Sequence, residues 1–121
     1  MPKRVLVVED RKPMAKALAI KLERAGFEAR VAEDGEEALK ILKNESYDLI
    51  LLDLVMPKID GFTLLAELQA RKIKTPAIVL SNLSQEEDER RAKELGALDF
   101  FVKSEIPINE VVDRIKKTLH V

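Results

Sequence analysis

An alternating α/β fold, a doubly wound sandwich built on a five-stranded parallel sheet, is predicted by three observations. Short apolar runs alternate with longer amphipathic stretches five times along the chain. Most of the runs close on a polar residue, as strands do where ligands bind. No repeat, low-complexity tract or linker rich in Pro, Gly or Ser interrupts the pattern.

The elements follow in order. The first strand covers Arg4 to Glu9, and the first helix starts around Pro13, a favoured first-turn residue, with Met14, Leu18, Leu22 and Ala25 on one face. Gly26 stops it. The second strand, Phe27 to Ala32, alternates polar and apolar residues like a half-exposed edge, and Asp34-Gly35 leads into a helix with Ala38, Leu39 and Leu42 inward. The third strand is Leu49 to Leu54, and its helix starts near Gly61 with Phe62, Leu65 and Leu68 together. Pro76 opens the fourth strand, Ala77 to Ser81. Ser84-Gln85-Glu86-Glu87 then matches a capping box, with Ser84 as the cap and Glu87 reaching back, so a fourth helix runs from Gln85 to Leu95. That helix is mostly charge, with only Ala92 and Leu95 for the core, and is expected to be among the more mobile elements. The fifth strand spans Asp99 to Lys103, and the last helix carries Ile108, Val111, Val112, Ile115 and Leu119 at helical spacing from about Asn109 onward. The first, third and fourth strands are the most continuously apolar and belong in the middle, which gives the flavodoxin-like order 2-1-3-4-5.

At 121 residues the chain fits one domain, residues 1–121, and 46% hydrophobic residues suffice for a single core. With 21 basic against 22 acidic residues no global field favours nucleic acid or an anionic membrane. The absence of cysteine excludes disulfides, thiolate metal sites and thiol catalysis, and fits a reducing compartment. Met1-Pro2-Lys3-Arg4 and the few apolar residues after it are too short for a secretory signal, and no run spans a bilayer. A soluble, cytoplasmic protein with no membrane or direct nucleic-acid partner is expected.

In the order 2-1-3-4-5 the ends of the first and third strands meet at the switch point, where ligands bind. Glu9, Asp10 and Asp53 therefore crowd one pocket, and such a cluster repels itself unless a divalent cation or a proton intervenes. Ser81 and Lys103 close neighbouring strands and converge on the same rim. Carboxylates beside a hydroxyl and an ammonium suit a phosphoryl group held through Mg²⁺. Asp53 is the best nucleophile, because a carboxylate can accept a phosphoryl group as an acyl phosphate with no activating base. The turn Asp10-Arg11-Lys12-Pro13 lacks the glycines that wrap a nucleotide phosphate, which weakens any dinucleotide or flavin role.

Together these residues resemble, over the whole chain, the receiver domains of two-component response regulators, including the single-domain kind found in chemotaxis. The match rests on Glu9-Asp10, Asp53, Met56-Pro57, Asp60-Gly61, Ser81, Gly96-Ala97 and Lys103. The resemblance implies that Glu9, Asp10, Asp53 and the Val55 carbonyl hold Mg²⁺ directly or through water, and that Ser81 and Lys103 contact the phosphoryl group. It implies a donor that is a histidine kinase or histidine phosphotransfer protein, and a downstream protein effector. It also implies a switch in which Ser81 moves toward the new oxygens and Phe100 turns inward, remodelling the face of the fourth helix, fifth strand and fifth helix; homodimerisation through that face on phosphorylation is compatible with it. Such a domain is a regulator that promotes its own phosphorylation and dephosphorylation rather than an enzyme acting on other substrates.

Several residues depart from the family pattern. Ser104 stands where Pro usually follows the Lys in a cis peptide, and a cis bond before Ser costs roughly 2.5 to 4 kcal/mol. A trans bond with altered Lys103 placement is the expectation. Phe100 lacks the phenol of the common Tyr, and Asn82 and Leu83 follow Ser81. Val55 and Leu83, both apolar, flank the expected acyl phosphate and should hinder attacking water. Phe100 and Phe101 alternate sides, so one of them is expected to be core. Asp60 reads as a turn residue; Arg90, Arg91 and Lys93 read as a solvated face that could also meet an acidic partner. His120, near the end, reads as inert, against a phosphohistidine donor role. Two rival readings stay open at this level: a Mg²⁺-dependent phosphatase of the haloacid dehalogenase kind, which lacks here its Asp-x-Asp on the first strand and its cap insertion, and a receiver-like module that only binds partners. With the last helix ending at Val121, no effector domain is expected within the chain.

Overall fold

In the computed structural model, which describes residues 2–121, five parallel strands and five helices alternate: β1 Arg4–Val8, α1 Lys12–Arg24, β2 Glu28–Ala32, α2 Gly35–Asn44, β3 Leu49–Leu52, α3 Gly61–Ala70, β4 Ala77–Ser81, α4 Glu86–Glu94, β5 Asp99–Val102 and α5 Ile108–Leu119. The sheet order is β2-β1-β3-β4-β5, as the apolar character of the first, third and fourth strands predicts. Every residue of β3 and β4 is buried, whereas β2 alternates and β5 is half-buried throughout.

Side-chain alternation along the strands feeds two cores. Leu6, Val8, Ile50, Leu52 and Val79 pack under α2, α3 and α4; Val5, Val7, Leu49, Leu51, Ile78 and Leu80 pack under α1 and α5. The helices supply matching stripes, Leu18 and Leu22 from α1 and Val111, Val112 and Ile115 from α5. Gly26, at φ 97°, ends α1 in the backbone region that side chains avoid.

Several boundaries are shorter than the apolar runs suggest. Glu9, Asp53 and Lys103 lie just past β1, β3 and β5, yet each keeps one ladder bond, to the carbonyls of Ala32, Val8 and Ser81 at 3.0, 3.1 and 2.9 Å. The backbone is held while the side chain is released from the pleat. Leu42 and Leu95 are half-buried, and Ile41 is a core residue instead. Phe100 and Phe101 do face opposite cores, but neither is fully buried, because β5 is an edge strand.

The capping box sits one residue later than expected. Gln85, with φ −77° and ψ 148°, precedes the first helical residue of α4, and the Asp88 carboxylate accepts its N–H at 3.3 Å. Ser84 therefore lies outside the helix, and Glu87 pairs with Arg90. Ala92 is the one buried residue of α4, and Arg91 adds a stacking contact with its guanidinium 4.1 Å from the centre of the Phe62 ring.

Two local devices hold the site end and the opposite end of the sheet. Asp60 caps α3 by accepting the Thr63 N–H at 2.8 Å, and the Gly61 N–H donates to the Leu54 carbonyl at 2.9 Å. A Cβ at Gly61 would fall 2.4 Å from the Asp53 carbonyl oxygen and 2.6 Å from the Leu54 Cα, so only glycine lets α3 start against β3. At the far end, the Arg4 N–H donates to Asp48 at 2.7 Å and the Arg4 guanidinium to Glu45 at 2.9 Å, while the Tyr47 hydroxyl also donates to Glu45 at 2.9 Å. Arg30 pairs with the other Glu45 oxygen.

Gly61→Ala is accordingly expected to destabilise the fold by about 1–3 kcal/mol, since the clash is with backbone, read as a lower urea midpoint. Hydrogen bonds from Arg4, then Tyr47 and Arg30, hold the Glu45 carboxyl down at about 2 against an ordinary 4.5. A depressed folded value stabilises above the unfolded one and is lost as pH falls. Wild type should therefore exceed Glu45→Gln in urea midpoint at pH 6, and the gap should close between pH 4.5 and 2.

Candidate functional site

The end of β1 and the end of β3 are neighbours, with Val8 opposite Leu52, so the residues that follow both strands meet. One carboxylate oxygen each from Glu9, Asp10 and Asp53 lies within 4.8 Å of the others. Glu9 and Asp53 are buried, 3% and 6% exposed, and Asp10 lies on the solvent side. At an effective dielectric of about 20, two like charges at such a separation repel by about 3 kcal/mol. The burial of this cluster therefore needs compensation.

Part of it comes from Lys103, at the end of β5 and two strands away from Asp53. Its ammonium donates to Asp53 Oδ2 at 2.9 Å and to Glu9 Oε1. The described chain has no cis peptide, so the Lys103-Ser104 bond is trans, and the lysine side chain reaches the carboxylates from the trans loop. Burial pushes the Glu9 carboxyl up, against the hydrogen bonds from Lys103 and the Arg11 N–H, and the nearby Asp53 charge pushes the same way. For Lys103 burial acts downward, but the hydrogen bonds and charges of Glu9 and Asp53 outweigh it and the ammonium is held charged.

The second oxygen of Asp53 has its own partners. Oδ1 accepts the Leu54 N–H at 2.7 Å and the Val55 N–H at 3.3 Å, so the carboxylate is oriented by the backbone that follows it. Sequence reading missed these amides, and the Arg11 N–H that donates to Glu9 Oε2 at 3.2 Å, because backbone donors carry no residue signature. With all three acids ionised, one ammonium leaves two net negative charges on hard oxygen ligands. That donor set fits a divalent cation such as Mg²⁺.

Ser81 ends β4 fully buried, and its hydroxyl accepts the Leu83 N–H at 3.3 Å; among the described residues it makes no hydrogen bond to the acidic cluster. The Val55 side chain is 59% exposed at the mouth, and Leu83 packs half-buried beside the α2, α3 and α4 core. Phe100 lies on that same side, next in the sheet to Val79, and contributes to a groove with Glu89, Glu105 and Arg114. His120 takes a left-handed backbone conformation at the end of α5, remote in the fold from the strand ends that carry the acids. No helix among the described residues is long and apolar enough to cross a membrane.

Comparison with known proteins agrees with this fold. The family profile of the response regulator receiver domain matches residues 5–116. The chain is 40% identical over 119 residues to the alkaline phosphatase synthesis transcriptional regulatory protein PhoP of Bacillus subtilis, covering 98% of this chain and 49% of that protein. It is 41% identical over 118 residues to the gliding motility regulatory protein of Myxococcus xanthus, covering 93% of this chain and 15% of that one. The chain thus spans half or less of the length of these relatives. Among solved structures it superposes on the Francisella response regulator 1452 receiver domain with a TM-score of 0.93 at 35% identity, covering 98% and 97% of the two chains. It also matches the BeF3-activated N-terminal receiver domain of Klebsiella pneumoniae RstA with a TM-score of 0.90 at 26% identity, covering 98% and 99%. Sequence profile, relatives and fold agree, and the chain belongs to the response regulator receiver domain family of two-component signalling.

Proposed function

We propose that Asp53 is the phosphoacceptor of a signalling switch that takes a phosphoryl group from a histidine kinase or histidine phosphotransfer protein in the cytoplasm. The observation that carries this reading is the Lys103 ammonium 2.9 Å from Asp53 Oδ2, inside the pocket that also holds Glu9 and Asp10. Glu9, Asp10, Asp53 and the Val55 carbonyl are the residues that would hold Mg²⁺, directly or through water. When bound, the cation neutralises charge on the transferring phosphoryl oxygens.

In the step itself an Asp53 oxygen forms a bond to phosphorus while the bond from phosphorus to the donor nitrogen breaks, its electron pair staying on the donor imidazole. Lys103 pairs with a phosphoryl oxygen once Asp53 is esterified, and Ser81 exchanges its Leu83 N–H contact for another. That exchange moves the loop between β4 and α4. Phe100, half-buried against the core under α2, α3 and α4, is the packing element that responds, and the α4, β5 and α5 face is the surface a downstream protein reads, or a second copy of the chain. Its balance between positions depends on apolar burial alone, because a Phe ring has no hydroxyl to tether.

Incubation with Mg²⁺ and acetyl phosphate should add one phosphoryl group by intact mass, and Asp53→Asn or removal of Mg²⁺ with EDTA should abolish it. Label persisting in Asp53→Asn would refute the assignment. Val55 follows Asp53 by two residues and Leu83 follows Ser81 by two, and these apolar neighbours support slow hydrolysis of the acyl phosphate. Val55→Asn combined with Leu83→Glu is expected to change the decay, accelerating it roughly three- to tenfold, or about 1 kcal/mol in barrier, followed by loss of the phosphorylated mass.

A further inference from the structure

A second space opens beside the acidic pocket. Arg11, Met14, Asn82, Lys103 and Ser104 bound a cavity of about 290 Å³. Lys103 is common to both, lining this cavity and donating its ammonium to Asp53. We propose that this cavity receives the leaving group of small phosphoryl donors, and that Arg11 makes the site selective for donors that expel a carboxylate. The inference rests on Asp53 being the phosphoacceptor.

The chemistry of the walls supports it. Arg11 directly follows Glu9-Asp10, and its N–H is fixed on Glu9 Oε2 at 3.2 Å, so its backbone cannot drift from the pocket. Its side chain is exposed and, among the described residues, makes no ion pair with any carboxylate. An uncommitted guanidinium beside an acidic pocket is placed to bind an anion there. Half-buried Met14 offers an apolar wall, and Asn82 and Ser104 offer neutral hydrogen-bonding groups. The volume equals roughly ten water molecules of liquid, enough for a short acyl chain.

With an acyl phosphate, an Asp53 oxygen bonds to phosphorus, the bond from phosphorus to the acyl oxygen breaks, and the electron pair departs on a carboxylate. No proton need move. Arg11 is then matched to the negative charge that grows on the departing oxygen, an interaction stronger in the transition state than in the bound donor. With phosphoramidate protonated on nitrogen, the bond from phosphorus to nitrogen breaks with its electron pair on nitrogen and neutral ammonia departs, giving Arg11 no anion to hold.

The test compares rate constants for the two donors at fixed ionic strength in Mg²⁺. In Arg11→Gln the ratio of the acetyl phosphate to the phosphoramidate rate constant should fall roughly five- to tenfold, less than a buried oxyanion donor supplies because Arg11 is exposed. Arg11→Lys should recover part of the ratio. Lys12→Gln removes an equal charge from the neighbouring exposed position, outside the cavity lining, and should leave the ratio within about twofold of wild type if the effect is local rather than a general field. An unchanged ratio in Arg11→Gln, an equal loss with both donors, or the same fall in Lys12→Gln overturns the inference while leaving Asp53 as acceptor. A wild-type chain inert to both donors overturns the acceptor reading, and this inference with it.

Discussion

Three carboxylates gathered at the ends of two adjacent strands dominate the energetics of this chain. Bringing Glu9, Asp10 and Asp53 within 4.8 Å of one another is unfavourable on its own, and the fold tolerates it because Lys103 is delivered from the far side of β4 into the same space. One ammonium offsets only part of the repulsion. The remaining charge is the reason the pocket suits a divalent cation.

Delivery depends on register. Val8 lies opposite Leu52, and Ser81 opposite Val102, so the strand order alone sets which residues emerge side by side at the rim. Past the last paired residue of β1, β3 and β5 the chain keeps one backbone bond and frees the side chain, which turns the ends of these three strands into a cluster of polar termini. Gly61 is the tightest point of this frame, because α3 begins against the carbonyl of Asp53 itself.

Most of this architecture was legible in the residues. The apolar continuity of Val5 to Val8, Leu49 to Leu52 and Ala77 to Leu80 placed those strands centrally, and from that order the meeting of Glu9, Asp10 and Asp53 followed. Less could be read where two residues compete for one role. Ser84 and Gln85 each stand three before an acidic side chain, and only the backbone angles of Gln85 decide between them. Similarly, Ile41 and Leu42 are equally apolar neighbours, and the exact rotation of α2 decides which is inside. The amides of Leu54, Val55 and Arg11 that orient the carboxylates were invisible because every residue but proline carries such a donor. The reach of Lys103 could not be read from spacing for a related reason: a long flexible stem meets its partners from a trans loop.

The sparse seating of α4, a helix whose interior contribution is Ala92 alone, bears on how such a protein can diverge. Natural selection can rewrite most outward positions of that helix without disturbing the interior, since beyond Ala92 only Arg91, stacked on Phe62, has a seat to keep. Duplicated copies could thus acquire separate listeners through a handful of surface replacements, while the chemistry beneath is inherited intact.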